Sequence, residues 1–197
     1  MLSAHWLTKK DSFLASGSTD GKIILWSVGE AKLIQTLEEH ECNVKALIYL
    51  ENGYLASGSE DGRMKIWDVK TRSVLMSSNE HSGSINSLLC LKNGSLASAS
   101  SDCTIKIWGI DEEELFLLKT LMQHSSPVKA LALLNNDLLA SGYADGRIGI
   151  WNIKYDSLVK LFVAPEAHLS SVNALAVLDN GYLASGSDDR TIKIWDI

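Results

Sequence analysis

The chain is short of several things, and each shortage removes a class of protein. Only three cysteines occur among its 197 residues, Cys42, Cys90 and Cys103, at unrelated spacings. An odd number so placed is not a disulfide framework and fits a reduced compartment, so the expected location is intracellular, cytoplasmic or nuclear. No apolar run approaches the roughly 18 residues that cross a bilayer. Lys9 and Lys10 follow the apolar patch at the N-terminus instead of preceding it, so no signal peptide is expected. Positive charge is not in excess either. Eighteen Lys and Arg against 24 Asp and Glu leave a net charge of −6, which argues against nucleic acid or an anionic membrane as the main partner. Helical periodicity is missing throughout.

What the chain has is a repeat. Five segments align without gaps: Leu14 to Trp26, Leu55 to Trp67, Leu96 to Trp108, Leu139 to Trp151 and Leu183 to Trp195. Their tryptophans stand 41, 41, 43 and 44 residues apart, within the period of four-stranded propeller blades. Each segment reads as a hairpin. A strand of small residues, Leu-Ala-Ser-Gly-Ser or its like, suits close packing between neighbouring sheets. Asp20-Gly21, Asp61-Gly62 and Asp145-Gly146 supply the positive φ of a tight turn. Asp102-Cys103 and Asp189-Arg190 lack the glycine, which predicts strain or another turn type. An alternating Ile-Lys-Ile-Trp strand follows, expected to have one apolar face.

An apolar strand precedes each hairpin, as in Val44 to Ile48 and Val172 to Val177, and ends in a turn such as Glu51-Asn52-Gly53. A fourth strand is expected over Lys32 to Leu37, Ser73 to Ser77, Leu115 to Leu121 and Leu158 to Phe162. The fold predicted is all-β, a propeller of four-stranded antiparallel blades. Its repeats run about 1–29, 30–70, 71–111, 112–154 and 155–197 within one domain over 1–197. An isolated blade buries too little to stand alone, so the core lies between blades.

Recurring together at fixed offsets, these residues resemble the WD-repeat (WD40-type) family over essentially the whole chain. The resemblance implies a hydrogen-bonded tetrad of histidine, serine, aspartate and tryptophan in each blade. The matching sets are His40, Ser57, Asp61 and Trp67; His81, Ser98, Asp102 and Trp108; His124, Ser141, Asp145 and Trp151; and His168, Ser185, Asp189 and Trp195. The first repeat offers Ser16, Asp20 and Trp26 without the histidine, because the position 17 residues before Ser16 falls ahead of Met1. His5 aligns with a strand. The chemistry suits such a chain: an indole only donates, serine and histidine do both, and carboxylate only accepts. The family's Gly-His pair appears as Glu39-His40, Glu80-His81, Gln123-His124 and Ala167-His168. Trp-Asp survives only at Trp67-Asp68 and Trp195-Asp196.

The tetrads could be mistaken for catalytic triads. Four copies at one spacing, none in a Gly-x-Ser-x-Gly elbow, read as structure. The stretch from Gly17 to Lys22 is one residue short of a phosphate-binding loop and has Ile23 where Ser or Thr must stand. No pair of histidines or cysteines has zinc-ligand spacing, so neither a metal nor a cofactor is expected. Asp111-Glu112-Glu113-Glu114 reads as a solvated turn.

The family resemblance implies docking on the face that carries the histidine loops and Asp turns. The corresponding positions are Asn43, Lys45 and Glu60; Ser84, Asn86 and Ser101; Pro127, Lys129 and Ala144; Ser171, Asn173 and Asp188; with Thr19 and Ala4 in the first repeat. They are small and polar, without the Trp, Tyr and Arg of strong hot spots, which predicts a modest contact. The function implied is a non-enzymatic scaffold for other proteins or peptides; the alternative is an enzyme or ligand-binding propeller using its central channel. The last repeat ends after its third strand, so its blade is expected to lack the outer strand. That predicts part of a larger, seven-bladed ring, or self-association through the unsealed ends.

Overall fold

A computed structural model of the chain describes residues 3–6, 13–111, 114–122, 125–135 and 137–197. The described residues form antiparallel sheets and no helix. Sheet one holds β1 (Ser3–Trp6), β2 (Phe13–Gly17), β3 (Lys22–Ser27) and β4 (Lys32–Glu38), in that order. Sheet two holds β5 (Val44–Tyr49), β6 (Leu55–Ser59), β7 (Met64–Asp68) and β8 (Ser73–Ser78). Sheet three is β9 (Ile85–Cys90), β10 (Leu96–Ser100), β11 (Ile105–Ile110) and β12 (Leu115–Leu121). Sheet four is β13 (Val128–Leu133), β14 (Leu138–Tyr143), β15 (Ile148–Asn152) and β16 (Ser157–Phe162). Sheet five has three strands among the described residues: β17 (Val172–Val177), β18 (Leu183–Ser187) and β19 (Ile192–Trp195).

The third strand of each sheet has two apolar faces, where the alternation predicted one. Successive side chains point to opposite sides. Ile23 and Leu25 therefore face forward, with Leu37, onto Val44, Leu47, Leu55 and Trp67 of sheet two. Trp67 in turn points back from its own strand. The same division recurs between sheets two and three, three and four, and four and five. The core is thus four inter-sheet layers, as expected of a stack whose single units bury too little alone.

The small residues of the second strand are required by that stacking. A Cβ at Gly17 would come within 2.8 Å of Val44, and one at Gly142 within 2.7 Å of Val172, the first residue of the next sheet. The tight turns do a related job. Gly62 has φ of 84° and lies against the backbone carbonyl of His81 in the next sheet, leaving no room for a Cβ. Cys103 and Arg190 take the same left-handed conformation, at φ of 71° and 69°. Of the two outcomes predicted for the glycine-free turns, the strain is what occurs, and the turn type is kept.

In sheet one, Ala4 pairs with Ser16 and Trp6 with Leu14. In sheet two the partners of the equivalent Ser57 and Leu55 are Leu47 and Tyr49. Ala4 therefore stands at the place of Leu47, not of Lys45 as the gapless alignment predicted. The stretch of sequence between the paired positions is two residues longer here, which moves the register by two residues. His5 lies in the strand.

Candidate interaction face and its hydrogen-bonded supports

Among the described residues the histidine loops and Asp turns share one end of the sheets, because both connect strands at that end. Each second strand presents its serine between the two. In sheet three the Trp108 indole N–H donates to Ser98 Oγ at 2.8 Å, and Ser98 Oγ lies 2.7 Å from His81 Nε2. His81 Nδ1 lies 2.7 Å from Asp102 Oδ2. With Nδ1–H donating to the carboxylate and Ser98 donating to Nε2, every polar group in the row is satisfied. Asp102 Oδ2 also accepts from the Ser82 backbone N–H at 3.1 Å, tying the loop to the turn. Sheet five repeats this: Trp195 to Ser185 at 2.8 Å, Ser185 to His168 at 2.7 Å, and His168 to Asp189 at 2.8 Å.

Sheet two differs from the predicted pattern. In sheet two Trp67 donates to Ser57 at 2.7 Å and Ser57 meets His40 Nε2 at 2.7 Å. Asp61, however, is not joined to His40. Its Oδ1 accepts from the Arg63 backbone N–H at 2.9 Å, and Arg63 Nε lies 3.9 Å from Oδ2. His40 Nδ1 is left buried with no hydrogen-bond partner among the described residues. In sheet four Trp151 donates to Ser141 at 2.8 Å and Asp145 pairs with Arg147 at 3.5 Å. Ser141 Oγ also donates to the buried Tyr143 hydroxyl at 3.0 Å. His124, Gln123, Glu112 and Glu113 lie outside the described residues. Sheet one has the Trp26 to Ser16 bond at 2.9 Å, while Asp20 Oδ1 accepts from the Lys22 backbone N–H.

The cause stands two residues after each aspartate. Thr104 and Thr191 donate their hydroxyls to Asp102 and Asp189 Oδ1 at 2.6 Å, which turns Oδ2 toward the histidine. Arg63 and Arg147 draw Oδ2 outward instead. The titration of the groups follows. Burial pushes the Asp102 carboxyl up, but bonds from Thr104 and His81 outweigh it and hold it below its ordinary value. The Thr191 and His168 bonds likewise hold Asp189 down. Burial lowers His81, with Asp102 partly opposing. For His40 the opposition comes only from the charge of Asp61, without a hydrogen bond, and it is outweighed. Burial, with the Lys65 ammonium adding to it, lowers the His40 imidazole to about 4.

A second fastening was not foreseen. Ser59, Ser100 and Ser187 close their strands and donate to the carbonyls of Cys42, Gly83 and Ser170 at 3.3, 2.9 and 3.0 Å. The final serine of Leu-Ala-Ser-Gly-Ser carries that signal in the sequence, and Tyr143 replaces it in the fourth repeat.

The predicted docking positions fall on this supported end, and several bind one another. Lys45 pairs with Glu60 at 3.3 Å. Ser84 donates to Asn86 Oδ1 at 3.3 Å. Asn86 Nδ2 donates to Ser101 at 3.0 Å and to the Val128 carbonyl of the next sheet at 2.7 Å. Ser171, Asn173 and Asp188 form the same row at 2.8 and 2.6 Å. The Pro127 carbonyl accepts from Ala144 N–H at 2.9 Å, and Lys129 is half-buried. Asn43 has its side-chain oxygen buried without a partner among the described residues. Thr19 is exposed. At the other end of the sheets a cleft of about 330 Å³ opens between sheets three and four, beside Lys92, Lys119, Asp137 and Lys154. Among the described residues no three His, Cys, Asp or Glu gather as a metal site would need. No helix there is long and apolar enough to cross a membrane.

Stacked antiparallel sheets, each carrying an indole bonded to a strand serine, define a propeller-like repeat protein. Comparison with known proteins gives the family. The family model described as "WD domain, G-beta repeat" matches residues 4–27, 31–68, 72–109, 116–152 and 158–196. The chain belongs to the WD-repeat family, whose members generally mediate protein–protein interaction without enzymatic activity. Among solved structures it is similar to the crystal structure of the computationally designed Ika8 protein, with 32% identity and a TM-score of 0.81. That likeness takes in 98% of this chain and 58% of the designed one, so the chain spans little more than half of its length. No curated protein matches the chain.

Proposed function

We propose that this protein is a non-enzymatic scaffold that holds other proteins or peptides on the end carrying its histidine loops and Asp turns. The observation that carries the reading is the row of polar groups there, pre-ordered by its own hydrogen bonds. Lys45 on Glu60, Asn86 on Ser101 and Asn173 on Asp188 occupy matching places in sheets two, three and five. A partner meeting groups already held in place pays little ordering entropy, so a modest polar contact can still be specific. The Ser, His and Asp sets are consumed by buried structure, which leaves them unsuited to nucleophilic work. The net charge of −6 favours protein over nucleic acid or anionic membrane. Three unpaired cysteines suit an intracellular, cytoplasmic or nuclear, setting.

The test is quantitative capture from lysate with the wild type and two triple variants. Lys45→Ala/Lys129→Ala/Asp188→Ala alters the proposed face. Lys92→Ala/Asp137→Ala/Lys154→Ala alters the opposite end. Partners lost with the first and retained with the second support the reading. If every captured partner survives the first variant, the docking face is elsewhere.

A further inference from the structure

Sheets three and four each have a neighbouring sheet on both sides, and the cleft of about 330 Å³ lies between them. The apolar part of its lining is firm. Leu91 and Ile107 of sheet three are almost fully buried, and Leu133 and Ile153 pack partly buried against the same core. The charged part is three lysines, Lys92, Lys119 and Lys154, against the carboxylate of Asp137 among the described residues. Lys119 is already bound. Its ammonium donates to the Ile153 carbonyl at 3.1 Å and to Asp156 at 2.7 Å, which ties sheet three to sheet four. Lys92 and Lys154 are exposed, and neither is in an ion pair among the described residues.

The same place between sheets two and three has acids where this one has bases. Glu51 follows Leu50 there as Lys92 follows Leu91, and Asp111 follows Ile110 as Lys154 follows Ile153. Met76 pairs with Ile66 as Lys119 pairs with Ile107. Folding of the repeat therefore does not call for the lysines, which gather at one cleft in a chain of net charge −6. We propose that this cleft binds an acidic, extended peptide segment of another protein, with an aliphatic side chain on Leu133 and Ile153 and carboxylates on Lys92 and Lys154. Lys92 belongs to sheet three and Lys154 to sheet four, so the two ammonium groups suit two acids with an apolar residue between them. An extended chain presents every second side chain on one face, which gives acid, aliphatic and acid at alternate positions. A cleft of this volume holds such a short segment and no more. The site lies at the opposite end from the docking face proposed above and does not rest on it, so either can fail alone.

Fluorescence anisotropy of a labelled Ser-Glu-Ser-Leu-Ser-Glu-Ser peptide, titrated with the full chain, tests this. The wild type should bind with a dissociation constant of about 100 µM, weakening as salt is added. Lys92→Glu/Lys154→Glu should weaken binding by about tenfold or more. Lys32→Glu/Lys70→Glu, the same change of charge on sheet two and its neighbour, should leave it within about twofold. All four lysines are exposed, so both variants keep their fold, which thermal unfolding checks. A probe with serine in place of leucine should bind about tenfold more weakly, for want of the buried aliphatic group. A wild type without saturable binding up to about 1 mM overturns the proposal, as does binding that Lys92→Glu/Lys154→Glu leaves intact. Equal binding of the leucine and serine probes overturns it too, because the lysines would then be a plain anion site.

Discussion

The third and fifth repeats carry Asp-x-Thr turns, and the second and fourth carry Asp-Gly-Arg. The first pair closes a four-member hydrogen-bonded row from indole to carboxylate. In the second pair the carboxylate has an arginine beside it, and in the second repeat His40 keeps a buried nitrogen without a partner among the described residues. Glycine gives the turn its left-handed residue at no conformational cost and lets the next sheet's histidine loop approach. Cys103 and Arg190 carry that conformation under strain. Strain in the turn and a closed row therefore occur together in the third and fifth repeats, and a relaxed turn goes with an open row in the second. Repeats that look equivalent by their shared residues differ in where their stability resides.

The largest expected effect tests how much the buried indole contributes. Trp108→Ala should cost about 3–5 kcal/mol, because a fully buried ring is lost and Ser98 loses a donor. Trp26, half-buried and with no histidine on its serine among the described residues, should cost about half as much on truncation. Urea unfolding of both variants measures the difference. Equal losses would mean that exposure at sheet one does not weaken its contribution.

Protonation comes next and acts on the open row. The His40 imidazole is held at about 4 in the fold, against roughly 6.5 in the unfolded chain. The unfolded chain therefore binds more protons between those values, and stability falls as the pH drops from about 6.5 to 4. The contribution is complete above that window and lost below it, amounting to about 3 kcal/mol. Stability measured across this range, with a His40→Gln variant giving a flatter curve, checks the sign. A His40 ring resonance titrating near 6.5 in the folded protein would contradict it.

A smaller contrast separates the two aspartates directly. Asp102→Ala leaves His81 Nδ1 and the Ser82 N–H without their acceptor and should cost about 1–3 kcal/mol. Asp61→Ala removes only exposed contacts with Arg63 and should cost less than about 0.5 kcal/mol. This asymmetry was not legible in the aligned segments, where Asp61 and Asp102 occupy one column. The hairpins, the turns and the tryptophan period were legible, because each depends on residues local to its own segment. The carboxylate's orientation depends on the side chain two positions later, and the rule that all aspartates behave alike passed over Thr104 and Arg63. The register of β1 was missed for a related reason: a gapless alignment cannot show a connection two residues longer. The fastening by Ser59, Ser100 and Ser187 was present as a recurrent letter whose partners, backbone carbonyls, leave no sequence pattern.

The finest test converts one kind of repeat into the other. Arg63→Thr places in sheet two the residue that Thr104 and Thr191 supply in sheets three and five. The new hydroxyl would donate to Asp61 Oδ1, as Thr104 does to Asp102 at 2.6 Å, and release Oδ2 from the guanidinium. Oδ2 could then accept from His40 Nδ1–H, ending the isolation of that nitrogen. The gain should be about 1 kcal/mol, the net worth of a hydrogen bond with a charged acceptor less the loss of a weak exposed ion pair. The His40 imidazole should rise from about 4, because a carboxylate beside it favours its charged form. The acid-side loss of stability would shrink accordingly. Unfolding midpoint and His40 titration read the two effects separately. A variant whose stability rises while the His40 titration stays put would show that the turn, not the tetrad, had been improved. Because Gly62 remains, the new row would form in a relaxed turn, where the rows of sheets three and five form in strained ones.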